Sequence, residues 1–512
     1  MQQRNVLEYL EKTVARLPDK LAFAGENEEL TFGQLYRDSR AIGSFLYGKG
    51  FYREPVLVFM KKQPRTVAAF FGCVYGGDCY VPVDDEMPLF RLELIMKTLQ
   101  PRAVICEEGT RDAAVRLAEN AEGDSPAVFL YDEMLQGEDA AALDKIRAGQ
   151  IDTDPVYIVF TSGSTGIPKG VAACHRSVID YIENLSAALD FGEDTVFANQ
   201  TPLYFDACLK ELYPTLKFGA TTYFVPKSLF MFPIRLVEFL NEHRINTICW
   251  VVSALTMISS FGTFDKVVPQ YLKTVAFGSE VFPVKQFNLW RKVLPEAEFF
   301  NLYGPTEATG MSCVFKVDRD FEPGDAIPIG RPFPNTEILL LTDKNELAGP
   351  GETGEICIRG TALTLGYYRD FERTREVFVQ NPLNDRYPEL IYRTGDLARY
   401  NEYGELVFVS RRDYQIKHMG HRIELGEIEA VVNTVEGITA CACLYDQERG
   451  KILLFYTGAP EARVLMGSLK EKLARYMLPN KVEKLEKMPL TANGKLDRTA
   501  LKKYYQEKDG RP

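Results

Sequence analysis

The stretch FTSGSTGIPKG, residues 160–170, carries enough hydroxyl, glycine and cationic groups to bind an anion. Backbone N–H groups, the Ser and Thr hydroxyls and the amine of Lys169 all offer donors to a phosphate. A Walker loop has the pattern G-x-x-x-x-G-K-[ST], and the residues on both sides of Lys169 depart from it. The strand-like YIVF before the stretch and the helix-like HRSVIDYIENLSAAL after it predict a phosphate loop between a strand and a helix. The alternative interpretation is a solvated linker.

A second polar stretch, NLYGPTEATG, occupies residues 301–310 and follows the apolar segment EFF. Tyr303 can present an aromatic face to a base, and Thr306 can donate to a phosphate. Glu307 can hold Mg²⁺, a hard cation that takes carboxylate and phosphate oxygens together. Each of these residues, taken alone, also fits an ordinary turn.

Three shorter stretches add charged groups. YRTGDLARY places Asp396 in a glycine turn, where its carboxylate could accept hydrogen bonds from ribose hydroxyls. SRRDYQIKHMGHRIE supplies Arg411 and Lys417, and NGKLDR places Lys495 in a turn near the end of the sequence. A turn aspartate, a surface arginine and solvated lysines are the alternatives for these residues when each is taken by itself.

The elements around these stretches predict an α/β fold. Short apolar runs such as PVLVFM, AVICEE and NTICWVV alternate with helical patterns, which is typical of a parallel, doubly wound sheet. After about residue 325, frequent Gly and Pro with β-type alternation indicate a small antiparallel β unit. The last hundred residues, with strand pairs and helices, indicate a separate α+β domain.

Composition limits the function classes. The 512 residues are 46% hydrophobic and 26% charged, with a net charge of −11, which argues against a general nucleic-acid or anionic-membrane surface protein. The ten cysteines include no C-x-x-C pair and lack zinc spacing, so we expect buried free thiols in a reducing cytoplasm. The sequence shows no signal-peptide core and no apolar run long enough for a membrane span.

Together and in this order, the stretches resemble the adenylate-forming superfamily. The resemblance is closest to the amino-acid adenylation domains of nonribosomal peptide synthesis and to the D-alanine–carrier protein ligases, and it extends over essentially the whole chain. The blocks that carry it are LTFGQL, GGDCYVPVD, FTSGSTGIPKG, YFDACLKELYP, NLYGPTE, GEICIRGTALTLGYY, YRTGDL, RRDYQIKHMGHRIELGEIE, LARYMLP and NGKLDR.

The resemblance implies a large N-terminal domain, residues 1–411, of two doubly wound α/β subdomains plus a small β-barrel-like unit. It also implies a small mobile α+β C-terminal domain, residues 412–512, with a hinge near 410–414 at Asp413. ATP and Mg²⁺ are the implied cofactors. The implied reaction joins a carboxylate to the α-phosphate of ATP, releases pyrophosphate, and then passes the acyl group to a thiol.

The resemblance also implies roles for individual residues. Lys495 would bridge the substrate carboxylate and the phosphate, and the strand around Lys417 would face the thiol in the second step. Thr306 and Glu307 would serve the α-phosphate and Mg²⁺. Tyr303 and Asn301 would hold adenine, while Asp396 and Arg411 would hold ribose. The β- and γ-phosphates would be held by Thr161, Ser162, Gly163, Ser164, Thr165, Gly166 and Lys169.

Asp206 separates the subfamilies, because amino-acid-activating members carry an Asp here that binds the substrate α-ammonium. A helix N-cap is the alternative role for this residue. The remaining pocket residues implied by the resemblance are Ala207, Lys210, Cys249, Val275, Phe277, Leu302, Gly310 and Met311. Phe277 stands where many relatives have Gly or Ala, which predicts a shallow pocket, and Lys210 could pair with a side-chain carboxylate. A small or acidic amino acid, or D-alanine, is therefore expected.

No carrier domain follows NGKLDR, so the expected acceptor is the phosphopantetheine thiol of a separate carrier protein, or coenzyme A. A free-standing amino-acid adenylating ligase is the leading hypothesis, and a D-alanine–D-alanyl carrier protein ligase is the second. An acyl- or aryl-CoA ligase is the third, with Asp206 against it. A catalytically silent nucleotide-binding relative is the last.

Overall fold

The structure is a computed structural model, and it describes residues 3–163, 166–322, 324–412, 415–489 and 496–509. The helices are α1 (Leu7–Val14), α2 (Phe32–Gly48), α3 (Pro64–Tyr75), α4 (Leu89–Leu99), α5 (Arg111–Glu119), α6 (Ala140–Gly149), α7 (His175–Ala188), α8 (Leu209–Phe218), α9 (Pro233–Glu242), α10 (Val252–Ser260), α11 (Val284–Val293), α12 (Phe371–Val377), α13 (Leu425–Asn433), α14 (Ala462–Lys472) and α15 (Arg498–Lys508).

The strands are β1 (Leu21–Ala24), β2 (Glu29–Thr31), β3 (Pro55–Phe59), β4 (Cys79–Val83), β5 (Ala103–Cys106), β6 (Ala127–Leu130), β7 (Pro155–Thr161), β8 (Lys169–Cys174), β9 (Val196–Asn199), β10 (Thr221–Phe224), β11 (Thr247–Val251), β12 (Thr274–Gly278), β13 (Glu298–Tyr303), β14 (Cys313–Lys316), β15 (Arg331–Pro332), β16 (Thr336–Leu341), β17 (Gly354–Gly360), β18 (Phe378–Gln380), β19 (Leu390–Tyr400), β20 (Leu406–Arg411), β21 (Gln415–His418), β22 (His421–Glu424), β23 (Ile438–Asp446), β24 (Lys451–Gly458) and β25 (Lys481–Lys484).

The chain divides into two compact units. The first comprises residues 1–85, 99–160 and 170–412, and the second comprises residues 86–98, 161–169 and 413–512. The second unit therefore takes chain from three places in the sequence. Two of its segments come from the first third of the sequence. One contains most of α4, and the other contains most of the phosphate-loop stretch.

Two large sheets form the framework of the first unit. One has the strand order β15-β14-β13-β12-β11-β9-β10-β1-β2, and the other has the order β6-β5-β3-β4-β7-β8. The central strands β9 to β13 are parallel to one another, as are β3, β4, β5 and β6. Parallel strands are usually buried on both faces and read as continuous apolar runs. The fully buried strand Pro55–Phe59 fits this pattern.

Apolar side chains from both sheets meet in one core, which also includes side chains from α1, α2, α3, α7 and α8. A second core lies on the other face of the nine-stranded sheet, where α9, α10 and α11 pack. These two cores confirm the layered α/β arrangement that the alternation of strands and helices predicts.

The small β unit follows the large sheets. Strands β16, β17, β19 and β18 are neighbours in a sheet, and β20 pairs with β19. All of these pairs are antiparallel. The Gly- and Pro-punctuated sequence after residue 325 predicts this unit correctly.

The second unit contains α and β elements around its own core. Strands β21 and β22 form a hairpin whose turn residues, Met419 and Gly420, both have positive φ, as a two-residue type I′ turn requires. Strands β23, β24 and β25 form a separate sheet beside α13 and α14, whose apolar side chains share one core with that sheet. The predicted α+β character of this part of the chain is confirmed.

Candidate functional site

The loop after β13 is folded tightly on itself. The backbone N–H of Ser312 donates to the carbonyl of Tyr303 at 2.7 Å. A Cβ added at Gly304 would lie 2.1 Å from the carbonyl oxygen of Gly310, so only glycine fits there. This close return places the short helical turn Thr306–Ala308 directly at the end of the strand.

Tyr303, Asp396 and Arg411 form one connected group. The Tyr303 hydroxyl donates to Oδ2 of Asp396 at 2.6 Å, and Nη1 of Arg411 donates to Oδ1 at 2.6 Å. Strand pairing places Asp396 directly opposite Arg411, and only 3% of Asp396 is exposed. Burial, with the neighbouring Asp396, raises the pKa of Tyr303 well above its usual range. Each carboxylate oxygen has two lone pairs, so Asp396 keeps acceptor capacity for a ribose hydroxyl.

Asn301 lies on the same strand as Tyr303 but makes different contacts. Its side-chain amide donates to the carbonyl oxygen of Pro328 at 2.8 Å and to that of Ile327 at 3.4 Å. The amide nitrogen therefore fixes the loop at 327–328, and the side-chain oxygen is the atom that remains for an adenine amino group.

Glu307 is fully buried beside the loop 364–367. Its Oε1 accepts a hydrogen bond of 2.7 Å from the Tyr367 hydroxyl, and its carbonyl accepts from both the N–H and the hydroxyl of Thr364. Mg²⁺ in nucleotide sites is held by one or two carboxylates together with substrate phosphates, so the carboxylate of Glu307 fits such a role. In the described ranges, no group of three or more His, Cys, Asp or Glu residues has the spacing of a protein-only metal site.

Asp206 lies next to these residues. Burial raises its pKa, while a hydrogen bond from the Thr306 side chain and the charge of Lys210 act in the opposite direction. It begins a short helical turn, Asp206–Cys208, ahead of α8, and its side chain caps neither element. The N-cap alternative is thus not the observed role. A carboxylate that is partly removed from water and lies near Thr306 is suited to pairing with an ammonium group.

A buried charged group extends from Asp206 along α8. Lys210 is only 2% exposed and Glu211 is fully buried. The Asn199 side chain donates to Oε2 of Glu211 at 3.2 Å, and burial raises the pKa of Glu211 to about 8. Lys62 donates to the carbonyls of Asn199 and Gln200, and burial lowers its pKa to about 7. Sequence reasoning missed Lys62, which lies in none of the blocks that carry the resemblance, and Glu211, which lies in YFDACLKELYP but was given no role.

The predicted amino-acid pocket divides between the two faces of the nine-stranded sheet. Cys249, Leu302 and Met311 belong to the core shared by both sheets. Val275 and Phe277 belong to the core on the opposite face, where the Phe277 ring lies 5.0 Å from that of Phe282. Because successive strand residues point to opposite faces, Val275 and Phe277 do not line a pocket with Cys249. This corrects the expectation that Phe277 makes the pocket shallow.

The residue of β12 that does face Cys249 is Ala276. The parallel register aligns Cys249 with Ala276, and Ala276 with Phe300 on the next strand. Gly278, two residues further along, lies on the same face, and a Cβ there would meet the carbonyl oxygen of Leu302 at 2.4 Å. Strand alternation is the signal that could have identified Ala276, once the register with β11 was known.

The phosphate-loop stretch begins where β7 ends at Thr161. Thr161, Ser162 and Lys169 are buried, and the N–H of Gly166, which has φ of +83°, donates to the carbonyl of Gly163 at 3.0 Å. Ser164 and Thr165 lie outside the described residues. The stretch joins two neighbouring strands, β7 and β8, of one sheet.

The predicted helix HRSVIDYIENLSAAL is present as α7, but the sequence reasoning missed a strand between the loop and this helix. The segment Lys169–Cys174 forms the buried strand β8, and α7 begins only at His175. The small side chains of KGVAAC carry too weak a strand signal to be distinguished from the glycine-rich loop before them.

Within the second unit, Ser162 is hydrogen-bonded to β22. Its hydroxyl donates to the carbonyl of Arg422 at 2.8 Å and accepts from the N–H of Glu424 at 3.2 Å. Lys417 lies on the neighbouring strand β21, paired with Arg422. The expected catalytic Lys495 and the expected hinge Asp413 lie outside the described residues, so their roles stay predictions.

All ten cysteines are free, and every one except the half-buried Cys441 is buried. Among the described residues, no helix combines the length and the apolar character that a membrane-spanning segment needs.

Similarity to known proteins covers nearly the whole chain. Residues 10–368 match the AMP-binding enzyme family, and residues 427–495 match the AMP-binding enzyme C-terminal domain. Tyrocidine synthase 1 of Brevibacillus parabrevis is 31% identical over 98% of this chain but only 45% of its own length, so the chain spans less than half of that relative. The D-alanine–D-alanyl carrier protein ligase of Bacillus licheniformis is 29% identical over 97% of this chain and 99% of its own length.

A solved structure supports the same fold. Holo-PA1221, a nonribosomal peptide synthetase (NRPS) protein containing adenylation and PCP domains bound to a vinylsulfonamide inhibitor, superposes with a TM-score of 0.81. The match covers 98% of this chain and 84% of that protein at 24% identity. The family match over more than half of the chain therefore shows that this protein belongs to the AMP-binding enzyme family.

Proposed function

We propose that this protein is an ATP-dependent amino-acid ligase that forms an aminoacyl-adenylate and then loads the amino acid onto a carrier protein. In the first step, a substrate carboxylate oxygen bonds to the α-phosphorus of ATP while the bond to the β-phosphate oxygen breaks and pyrophosphate leaves. In the second step, a phosphopantetheine thiol attacks the acyl carbon, its proton is lost, and AMP leaves.

The observation that carries the proposal is the proximity of the Asp206 carboxylate to Thr306 and to the buried Glu307. Asp206 is the proposed partner of the substrate ammonium, while Thr306 and Glu307 are the proposed partners of the α-phosphate and Mg²⁺. In an α-amino acid the ammonium and the carboxylate are attached to the same carbon. Binding of the ammonium at Asp206 would therefore place the carboxylate near Thr306, the proposed partner of the α-phosphate. Positioning of this kind is a large part of catalysis for two reacting groups.

The nucleotide roles rest on the buried group of Tyr303, Asp396 and Arg411. We assign ribose binding to Asp396 and Arg411, and adenine contact to Tyr303 and Asn301. Lys169 and the donors of residues 161–166 are proposed for the β- and γ-phosphates. Lys495 is proposed to bridge the two anions in the first step, and the hairpin at Lys417 is proposed to meet the thiol after a turn at Asp413.

A separate carrier protein is the proposed acceptor. The support is the D-alanine–D-alanyl carrier protein ligase, which this chain matches over 99% of that protein's length. The same match makes D-alanine the second candidate substrate, ahead of acyl- or aryl-CoA ligation, which would leave Asp206 without an ammonium partner. A catalytically silent relative ranks last. The free cysteines favour a reducing cytoplasm as the location.

ATP–pyrophosphate exchange tests the proposal. We expect exchange with at least one amino acid in a panel of L-amino acids, glycine, D-alanine, aryl acids and fatty acids. Asp206→Asn should abolish amino-acid-dependent exchange, and Lys495→Ala should abolish exchange with any acid. Asp78→Asn removes another buried carboxylate of the first unit and serves as the matched control. Exchange only with acids that lack an amino group would contradict the proposal.

A further inference from the structure

The ring of Tyr181, on α7, lies against a glycine of the predicted amino-acid pocket. A Cβ added at Gly310 would come within 2.9 Å of this ring, and Gly310 itself has φ of +104°. Tyr181 is 1% exposed and belongs to the same core as Cys249, Leu302 and Met311. Its ring therefore packs against Gly310, within the core that also contains three of the predicted pocket residues.

The hydroxyl of Tyr181 is fully buried and has no hydrogen-bond partner among the residues that the structure describes. Asp206, Cys249 and Glu211 all lie close enough to act on its pKa, which burial raises well above the usual value. Buried hydroxyls in folded proteins are nearly always hydrogen-bonded, because an unpaired one loses its contacts with water and gains nothing in return. A buried, unpaired hydroxyl beside the ammonium-binding carboxylate points to a ligand as its missing partner.

Other polar atoms near Tyr181 share this property. Oε1 of Glu211 and the hydroxyl of Tyr157 are also buried without a hydrogen-bond partner in the described part of the chain. Lys210 is also buried, and its charge acts on both Asp206 and Glu211. The surroundings of Asp206 thus offer hydroxyl donors, a carboxyl group and a cation, whereas a pocket for an aliphatic side chain would be lined mainly by apolar groups.

We propose that Tyr181 is a specificity-determining residue whose hydroxyl donates to an oxygen atom on the side chain of the bound amino acid. The substrate would then be an amino acid with a short side chain that ends in a hydroxyl, carboxamide or carboxylate. This inference rests on the proposed function, since it assumes that an amino acid binds at Asp206. A site that hydrogen-bonds a substrate group rejects the analogue lacking that group strongly, because its own polar atoms are then left unpaired.

The test compares substrates of nearly equal shape in the ATP–pyrophosphate exchange assay, using both enantiomers of each. Serine is paired with 2-aminobutyrate, threonine with valine, and asparagine and aspartate with leucine. We expect the preferred substrate to be an oxygen-bearing member, with kcat/KM about 100-fold or more above that of its apolar partner. Tyr181→Phe should reduce this ratio about 10-fold or more, mainly by lowering kcat/KM for the oxygen-bearing member.

Tyr131→Phe is the matched control. Tyr131 is also buried, at 3% exposed, but its hydroxyl already donates to Asp38 at 3.0 Å, and the charges that act most on it are those of Asp38, Glu28 and Arg65. This variant should leave the ratio unchanged. The wild-type comparison needs no variant, so the inference remains testable even if Tyr181→Phe does not fold.

The outcomes separate this inference from the proposed function. Equal exchange with both members of every pair, exchange with D-alanine alone, or an unchanged ratio in a folded Tyr181→Phe variant would overturn the inference and leave amino-acid activation intact. Exchange with no amino acid at all would overturn the proposed function, and the inference would fall with it.

Discussion

The hydroxyl of Tyr303 and the carboxylate of Asp396, 93 positions apart in the sequence, are joined by a buried hydrogen bond of 2.6 Å. Arg411 occupies the second carboxylate oxygen, so three residues from three different strands hold one another in place. A carboxylate fixed in this way needs little reordering to accept a hydrogen bond from a ligand. It would therefore bind a ribose hydroxyl at a low entropic cost.

Asp396→Asn should raise the KM for ATP about 10-fold or more while changing the KM for the amino acid little. The substitution keeps the shape of the side chain but removes the charge that pairs with Arg411, and charge-assisted hydrogen bonds are the stronger ones. Steady-state exchange at varied ATP measures the effect. Tyr303→Phe is the companion variant, because it deletes one donor to Asp396 and leaves the carboxylate in place. An unchanged KM for ATP in Asp396→Asn would remove the assigned ribose role.

Phe277→Ala should destabilise the first unit without changing which amino acid is activated. The Phe277 ring packs against Phe282 and Phe287 on the face away from Cys249, and truncating a buried Phe to Ala costs about 3–5 kcal/mol. Ala276→Val, which adds two methyl groups on the face of Cys249, should instead alter the substrate profile. Thermal unfolding and the exchange panel measure the two effects. A changed substrate profile in Phe277→Ala would contradict the observation that this side chain lies on the face of β12 away from Cys249.

Glu211→Gln should flatten the pH dependence of stability. The folded-state pKa of Glu211, about 8, lies above its ordinary value of 4.5, so the folded protein binds this proton more tightly than the unfolded chain does. The corresponding stabilisation is complete below pH 4.5 and is lost as the pH rises through 8. Between about pH 5 and about pH 9, the thermal midpoint of the wild type should therefore fall more steeply than that of Glu211→Gln. Glu119→Gln, at an exposed position of α5, should behave like the wild type.

Arg91 and Glu427 form a buried ion pair in the second unit, with side chains only 6% and 4% exposed. Arg91→Ala should lower the stability of this unit by about 3–5 kcal/mol, because the charge of Glu427 would be left buried and unpaired. The double variant Arg91→Met with Glu427→Met should recover most of that loss, since a buried pair replaced by apolar groups is often nearly neutral. The free energies of unfolding of the wild type, Arg91→Ala and the double variant are measured by denaturant unfolding. Equal losses in the single and double variants would show that the charge is not the cause.

Much of the fold follows from local sequence patterns. The apolar runs that form β3, β5 and β11 are short, bounded by turn residues and separated by helical periodicity, so their positions could be predicted. Strand β8 could not, because small residues such as those of KGVAAC give neither a strong strand signal nor a helical one. Its existence depends on the neighbouring strand β7, which supplies its hydrogen-bond partners.

Some residues of the candidate site could likewise be predicted from local sequence, and others could not. Asp206, Thr306, Glu307 and Asp396 stand in compact polar stretches, where residue type and spacing already indicate their chemistry. The facing of Val275 and Phe277 depends on strand register, which a single sequence does not reveal. Tyr181 could not be identified either, since an isolated tyrosine on an amphipathic helix has no local feature that separates a pocket wall from an ordinary core residue.

The three-part composition of the second unit limits how the chain can be cut or exchanged. Residues 413–512 contain Glu427, but its partner Arg91 and the packing residue Phe90 come from α4. A fragment that starts at the boundary between the units would carry an unmatched acid in its interior and an uncovered apolar surface beside it. Chimaeras that exchange only the last hundred residues would inherit the same mismatch. For recombination, α4 belongs with the C-terminal segment, even though more than 300 residues separate Arg91 from Glu427 in the sequence.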